Sequence, residues 1–246
     1  MEDYIFGRRP VIEYLKSGRQ PEKVYLAKGE KKGSINQIIH LVKQTDAVIV
    51  EVDRDKLDAM TGGQNHQGVA ILASDFTYSS LEDILEAAKA AGHPPFLVML
   101  DEITDPHNLG AIIRTAECCG VDGVIIPKRR SATVNSTVRR TSSGATAYQK
   151  ICKVTNINQT IDRLKEENIW IYGAAGEAKQ SLWSTDFSGG CCLVIGNEGE
   201  GLARLTRDKC DVLVSIPMVG KIDSLNASAS AAVLMYEVLR GRIREK

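Results

Sequence analysis

The sequence predicts an α/β protein in two parts, and three observations carry that reading. From residue 96 onward, short and wholly apolar runs alternate with segments of helical periodicity, the pattern of a mostly parallel sheet covered on both faces. The first 74 residues alternate shorter helical and strand-like segments that would make a small α/β module of their own. Between them, at about 75–94, a polar stretch and an Ala-rich helical segment end at Gly92-His93-Pro94-Pro95, and this reads as a linker.

Within 1–74, Pro10–Lys16 reads as a helix with Val11, Ile12 and Leu15 on one side, and Lys23–Ala27 as a strand. Ile35, Ile38, Ile39 and Val42 mark one helical face, and Val48–Val52 and Val69–Ala73 are β-branched runs that read as strands. The polar run Ser74–Ser80 precedes a helix at Leu81–Ala91. In 95–246, strands are predicted at Phe96–Leu100, Gly123–Ile126, Ile169–Tyr172, Cys191–Ile195 and Val212–Ile216, and helices at Asn108–Cys119, Ile157–Glu167 and Asn226–Arg240.

Of the 246 residues, 43% are hydrophobic and 25% charged, which is globular composition and excludes wholesale disorder. No apolar run approaches the ~20 residues that cross a bilayer, and Met1-Glu2-Asp3-Tyr4 has the wrong chemistry for a secretory signal. The six cysteines include the adjacent pairs Cys118-Cys119 and Cys191-Cys192 and no C-x-x-C. They read as core filling in a reduced, cytoplasmic protein, and the four histidines have no metal-ligand spacing. Charge is balanced, 31 basic against 31 acidic residues, but not evenly spread. No acid lies between Asp122 and Asp162, where Lys128, Arg129, Arg130, Arg139, Arg140, Lys150 and Lys153 all fall. Such a local positive field suits a phosphate backbone.

Three turns that follow strands carry the chemistry, because ligands of open α/β sheets gather at the carboxyl ends of strands. The first leads from Asp101 to Asn108-Leu109-Gly110 and on to Arg114; Asn108 sits where a helix N-cap is wanted, and Gly110 removes bulk on the face that Arg114 shares. The second, Gly196-Asn197-Glu198-Gly199-Glu200-Gly201-Leu202, resembles a phosphate cradle only in its glycines. Two carboxylates would repel phosphate, and neither G-x-x-x-x-G-K-[ST] nor G-x-G-x-x-G occurs in the chain. This counts against a nucleotide-dependent oxidoreductase or ATPase. The third runs from Ile216 through Ser224, Leu225 and Asn226 into small residues; Ser224 or Asn226 can cap the helix that follows.

N-L-G-A-I-I-R-T-A, L-V-I-G-N-E-G-E-G-L and I-P-M-V-G-K-I-D-S-L-N-A-S-A-S-A, in this order and spacing, resemble the three motifs of the SpoU-type branch of the SPOUT RNA methyltransferases. Gly7–Leu15 and Asn65–Val69 are similar to the substrate-binding module of the same enzymes, so the likeness covers nearly the whole chain. Within the family, the two-domain layout is similar to the enzymes that methylate guanosine 2′-oxygens in bacterial 23S ribosomal RNA.

The resemblance implies a deep trefoil knot in a parallel-sheet domain at 95–246, an L30e-like RNA-binding domain at 1–74, and a homodimer packed through the knots. It implies S-adenosylmethionine as cofactor, held by Gly196, Ile216 and Leu225 with the Ala175-Gly176 turn nearby. Its reaction-centre residues fall on Asn108, Arg114, Glu198, Ser224 and Asn226, although Ser224 can equally be a cap alone. The partner is ribosomal RNA or a precursor particle, with no membrane and no DNA, since only RNA offers a 2′-hydroxyl. Arg129, Arg130, Arg139 and Arg140, with Arg8 and Arg9 from the first domain, would position its backbone. A guanidinium stays charged, so Arg114 would grip phosphate and stabilise an oxyanion, leaving that phosphate or Glu198 to take the proton. A transfer-RNA 2′-O-methyltransferase and a non-catalytic RNA-binding protein are the alternatives.

Overall fold

The structure, a computed structural model, describes residues 4–18, 21–29, 33–45, 47–73, 76–222 and 224–244, with main chain only at 244. Met1–Asp3 and the boundary read at 74/75 lie outside these residues. The chain forms two compact units, Met1–Thr77 and Tyr78–Lys246.

The first unit is a mixed four-stranded sheet with helices on both faces. Strands β1 (Tyr4–Phe6), β2 (Pro21–Ala27), β3 (Val48–Val52) and β4 (Val69–Ala73) lie in the order β1-β4-β2-β3. β4 runs antiparallel to β1 and β2, and β2 pairs in parallel with β3. Helices α1 (Arg8–Lys16) and α2 (Ser34–Val42) cover one face, where Val11, Leu15, Ile35, Ile38 and Val42 meet Val24, Leu26, Val69 and Ile71. The intervening residues Tyr25, Ala70 and Leu72 point to the other face and pack on Leu57 of α3 (Arg54–Thr61), as the period of two requires. The sequence reading missed α3, whose only fully buried aliphatic side chain is Leu57.

The second unit opens with helix α4 (Leu81–Ala91), started by a capping box in which Ser80 Oγ accepts from Asp83 N and Asp83 Oδ2 from Ser80 N, each at 3.0 Å. Leu81, Ile84 and Leu85 bury themselves against Leu97, Met99 and Ile125 of the sheet. The stretch 75–94 is therefore not a free linker: its helix is part of the second core, and the division falls between Thr77 and Tyr78. There follow β5 (Phe96–Leu100), α5 (Pro106–Cys118), β6 (Gly123–Pro127), α6 (Ser136–Thr141), β7 (Ile151–Val154), α7 (Ile157–Glu166), β8 (Trp170–Ala174), β9 (Gln180–Ser181), β10 (Cys191–Ile195), α8 (Arg204–Lys209), β11 (Val212–Ser215) and α9 (Ala227–Arg244).

All the pairings of this seven-stranded sheet are parallel, in the order β7-β6-β5-β10-β8-β11-β9. Every residue of β5 and β10 is buried, which explains why these two strands carry no polar alternation. The chain first moves away from β5 on one side through β6 and β7. It then returns on the other side with β8, and β10 fills the place between β5 and β8. That reversal is a topological switch, the place where open α/β sheets bind ligands. Helix α9 packs on α5, and Arg242 near its end donates to the carbonyl oxygens of Pro94 at 2.7 Å, Pro95 at 3.1 Å and Gly189 at 3.2 Å.

The structure gives Gly110 a different purpose from the one read in the sequence. A Cβ there would lie 1.8 Å from Thr141 Oγ1 and 3.0 Å from the Val138 carbonyl oxygen, so α6 rather than Arg114 occupies the space. Gly110→Ala is expected to separate α5 from α6 and destabilise the protein by about 1–3 kcal/mol, measurable by denaturant unfolding. Of the cysteines, Cys119, Cys152, Cys191 and Cys192 are buried as expected, Cys210 is half-buried, and Cys118 is exposed. Burial pushes the thiol of Cys119 up to about 11 and those of Cys152, Cys191 and Cys210 up to about 12. A thiol-specific disulfide reagent at pH 8 should therefore label Cys118 promptly and the others only on unfolding.

Candidate active site

Three turns leave the carboxyl edge of the sheet and are joined by side chains. The first begins after β5. Asp105, not Asn108, caps α5: its Oδ1 accepts from His107 N at 2.9 Å, and Pro106 takes the first helical position. This shift of the helix start places Asn108 inside the first turn, where its side chain, in a residue only 7% exposed, is released from capping. The second turn follows β10. Asn197 Oδ1 accepts from Gly199 N and Glu200 N, both at 2.8 Å, and the main chains of Asn197 and Gly201 bond each other twice at 3.1 Å. A Cβ on Gly196 would stand 2.2 Å from the Gly201 carbonyl carbon, so the turn closes onto bare backbone there. The third turn leads into α9, and Asn226 is its cap: Oδ1 accepts from Ser228 N at 3.0 Å and from Ser228 Oγ at 2.5 Å. Ser224 lies exposed ahead of it and is not the cap.

Asn108 joins the three turns. Its Oδ1 accepts from Asn226 Nδ2 at 3.0 Å, and its Nδ2 donates to Glu198 Oε1. The orientation of both amides follows from their partners, since an ionised carboxylate accepts only and backbone N–H groups donate only. The donors therefore run in one direction, from the first turn of α9 through Asn226 and Asn108 to the Glu198 carboxylate. Asn108, the middle member, is buried, while Asn226 and Glu198 at the two ends are exposed, so from the core side of the turns the chain runs out to the surface at both ends.

The remaining expected residues divide. Val194 of β10 pairs with Gly173 of β8, and Ala174 of β8 with Val214 of β11. Ala175, Gly196 and Ile216 thus stand just past three adjacent strand ends, with Gly176 exposed beside Ala175. Leu225, 38% exposed, precedes the α9 cap. Arg114 does not join the asparagine–glutamate chain. It is six residues beyond Asn108 on α5, ~9 Å along the helix axis, exposed, with Nη1 donating to Ser143 Oγ at 3.2 Å. Arg129, Arg130, Arg139 and Arg140 are all exposed, and Arg130 pairs with Glu102 at 3.1 Å. In the first unit Arg9 is exposed, whereas Arg8 Nε donates to the Gln67 carbonyl oxygen at 3.1 Å and so helps pin the 65–68 turn. His66, buried, bonds Asp58 Oδ1 at 3.1 Å and accepts from Gly68 N at 3.0 Å, a structural role.

The sequence reading missed Asp101. It is 4% exposed at the end of β5, its N–H donates to the Ile195 carbonyl oxygen at 2.8 Å, and its Oδ2 accepts from Ala203 N at 2.9 Å. An acid directly after a wholly apolar strand was the available signal.

Asn108→Asp would set a carboxylate against Glu198 in a nearly buried position. The expected cost is about 1–3 kcal/mol at pH 7. It should shrink between pH 7 and 5 as the introduced carboxyl takes up a proton, a dependence that paired unfolding curves at the two pH values would reveal.

A glycine turn with two glutamates, flanked by apolar Ile216 and Leu225, has the donor chemistry for a cationic, partly apolar ligand, and S-adenosylmethionine, a sulfonium with an adenine ring, fits that description. Known proteins agree. The SpoU rRNA Methylase family profile matches residues 95–236, and the RNA 2′-O ribose methyltransferase substrate-binding profile matches residues 4–79. YacO of Bacillus subtilis, assigned to the TrmH family of tRNA/rRNA methyltransferases, is 43% identical over 240 residues, covering 98% of this chain and 96% of the relative. A Staphylococcus haemolyticus protein of the same assignment is 41% identical over 243 residues, covering 98% and 97%. Among solved structures, the SpoU methyltransferase AviRb of Streptomyces viridochromogenes in complex with its cofactor AdoMet aligns with a TM-score of 0.63 at 25% identity, over 98% of this chain and 90% of that one. The TrmH/SpoU tRNA modifying enzyme of A. aeolicus aligns with a TM-score of 0.57 at 25% identity, over 67% and 85%. The chain belongs to the SpoU (TrmH) family of RNA methyltransferases, whose cofactor is S-adenosylmethionine.

Proposed function

We propose that this protein methylates a ribose 2′-hydroxyl, at a guanosine of 23S ribosomal RNA, as a homodimer packed through knotted C-terminal domains. The observation that carries the reaction is the hydrogen-bonded chain Asn226–Asn108–Glu198 at the switch point of the parallel sheet. The match of residues 4–79 to a 2′-O ribose substrate-binding profile supports the target atom, and the match of 95–236 to an rRNA methylase profile supports the RNA class. Val219 and Ile222, apolar and strongly exposed between β11 and α9, support a surface that a second copy covers.

S-adenosylmethionine supplies a methyl group on a sulfonium. Gly196 and the main chain past β8 and β11 would hold it, with Ile216 and Leu225 giving apolar contact and Ala175 and Gly176 bounding the site. The 2′-hydroxyl must lose its proton as it attacks. Glu198, held by Asn108, or the neighbouring RNA phosphate accepts it. Arg114 grips that phosphate and steadies the charge developing on oxygen. Among the described residues its guanidinium bonds one exposed serine, which leaves it free to take up RNA. Asn226 and Asn108 orient the site, and Ser224, exposed at the third turn, touches the ribose. Arg129, Arg130, Arg139 and Arg140 hold the backbone without reading sequence, joined by Arg8 and Arg9 of the L30e-like first domain.

The test is methyl transfer from labelled S-adenosylmethionine to RNA lacking its own modifications, separated by size. Label is expected in the large ribosomal RNA, on a 2′-oxygen. Arg114→Ala should lower the rate at least a hundredfold and Arg114→Lys at least tenfold, because an ammonium cannot make the planar two-point contact. Near-normal turnover by the lysine variant overturns the grip. Label confined to transfer RNA overturns the substrate, and cofactor binding without transfer to any RNA or ribosomal particle returns the non-catalytic reading.

A further inference from the structure

The turn after β10 carries Gly196 and Glu198 and belongs to no helix or strand; Asn108 of α5 bonds it at Glu198, in its middle. It leaves the sheet at Ile195 and regains regular structure only at α8. Within it, the bonds of Asn197 to Gly199, Glu200 and Gly201 fix its internal shape. They do not fix its attachment to the sheet. Leu202 packs on the apolar core beside Gly173, where a Cβ would meet Leu202 Cδ1 at 2.8 Å, and this sets the depth of the exit. Direction is a separate matter, because an apolar contact is not directional.

One residue supplies direction at both ends. The main-chain N–H of Asp101 bonds the carbonyl oxygen of Ile195, the last residue before the turn, at 2.8 Å. Its carboxylate accepts from the N–H of Ala203, the first residue beyond Leu202, at 2.9 Å. Asp101 is itself buried, 4% exposed and continuous with the buried strand β5. The turn is thus closed at its base by a single residue, through its main chain at the entry and its side chain at the exit, rooted in the most buried part of the sheet.

We propose that Asp101 is a positioning residue for methyl transfer: by bonding both ends of the 196–202 turn it fixes the turn in its binding form before the cofactor arrives. The proposal rests on the reading that S-adenosylmethionine binds at this turn. Without the carboxylate, Ala203 N–H loses its acceptor; the turn keeps its bonds at Ile195 and, through Glu198, to Asn108, but its exit is no longer held, so binding must order that end each time. Asp101 acts through the turn, not on the reacting atoms.

The experiment compares the full-length wild type with Asp101→Ala, Asp101→Asn, Asp101→Glu and Gly196→Ala. It measures S-adenosylmethionine affinity by calorimetry and the steady-state constants for cofactor and RNA separately. Native folding is checked by protection of the buried cysteines. Asp101→Ala is expected to raise the Kd and KM for S-adenosylmethionine by about tenfold or more, with KM for RNA unchanged. Asp101→Asn keeps an acceptor in place and should stay within about threefold of wild type. Asp101→Glu keeps the charge but displaces it and should resemble the alanine variant. A purely structural role would instead lower kcat through loss of active protein and leave both KM values alone, and that result overturns the proposal. So does an asparagine variant as weak as the glutamate one, a comparison that decides even if Asp101→Ala fails to fold. Gly196→Ala separates the two levels. If it binds S-adenosylmethionine normally, the location of the cofactor site is wrong. If it loses binding while Asp101→Ala keeps it, Asp101 alone is wrong.

Discussion

The candidate site depends on one side-chain amide. Among the described residues, Asn108 alone is bonded to both Glu198 of the second turn and Asn226 of the third, and it belongs to the first. Asn108 is 90 positions from Glu198 and 118 from Asn226, and they meet because β10 is laid between β5 and β8 late in the chain. An amide suits the position: it offers a donor to the carboxylate and an acceptor to the second asparagine in one plane. A carboxylate there would repel Glu198, and a hydroxyl could not span both partners. The parallel sheet brings the turns within reach, and the amide converts proximity into a fixed arrangement.

The balance of charge misleads unless it is resolved along the chain. A net charge of zero would argue against an RNA partner, yet the segment between Asp122 and Asp162 carries basic residues with no acid among them. The structure spreads these over exposed positions: the loop after β6 for Arg129 and Arg130, and α6 for Arg139 and Arg140. Some are already committed, as Arg130 is to Glu102 and Lys153 is to the face of Tyr78 at 4.0 Å. The acids that balance them are paired with cations elsewhere, as in Lys89–Glu167 and Lys165–Asp211.

Much of the architecture was legible because buried parallel strands leave an unambiguous trace. Phe96–Leu100 and Cys191–Ile195 coincide with their predicted bounds, and Val48–Val52 and Val69–Ala73 do the same in the first unit. What escaped was short or weakly patterned: β1 with three residues, α3 with one dominant apolar contact, β7, and the six-residue helices α6 and α8. The turn residues were readable by type but not by job. Asn108 looked like a cap because caps favour asparagine, and the competing Asp105-Pro106 pair, a better start, took that role. Gly110 looked like clearance for an arginine, because nothing local announces that a helix from residues 136–141 will lie against it. The linker reading failed for the same reason: Leu81, Ile84 and Leu85 name a buried face without naming the core that buries it.

The contrast between Arg114 and the asparagine–glutamate chain bears on how such a site works. Asn108, Asn226 and Glu198 are bound to one another, and the turn that carries Glu198 is bonded to the sheet at Ile195 and Ala203. Arg114 is exposed, lies on a different stretch of α5, and makes one hydrogen bond to a serine hydroxyl. A small ligand gains affinity from a preorganised pocket, since ordering it at each binding event would cost free energy. A large polyanion gains more from long cationic side chains that can follow its backbone, because attraction to phosphate is weakly directional and acts at a distance. Rigid polar groups at the strand ends and a loosely tethered guanidinium beyond them are what a site needs when one substrate is small and fixed and the other is long and arrives by diffusion.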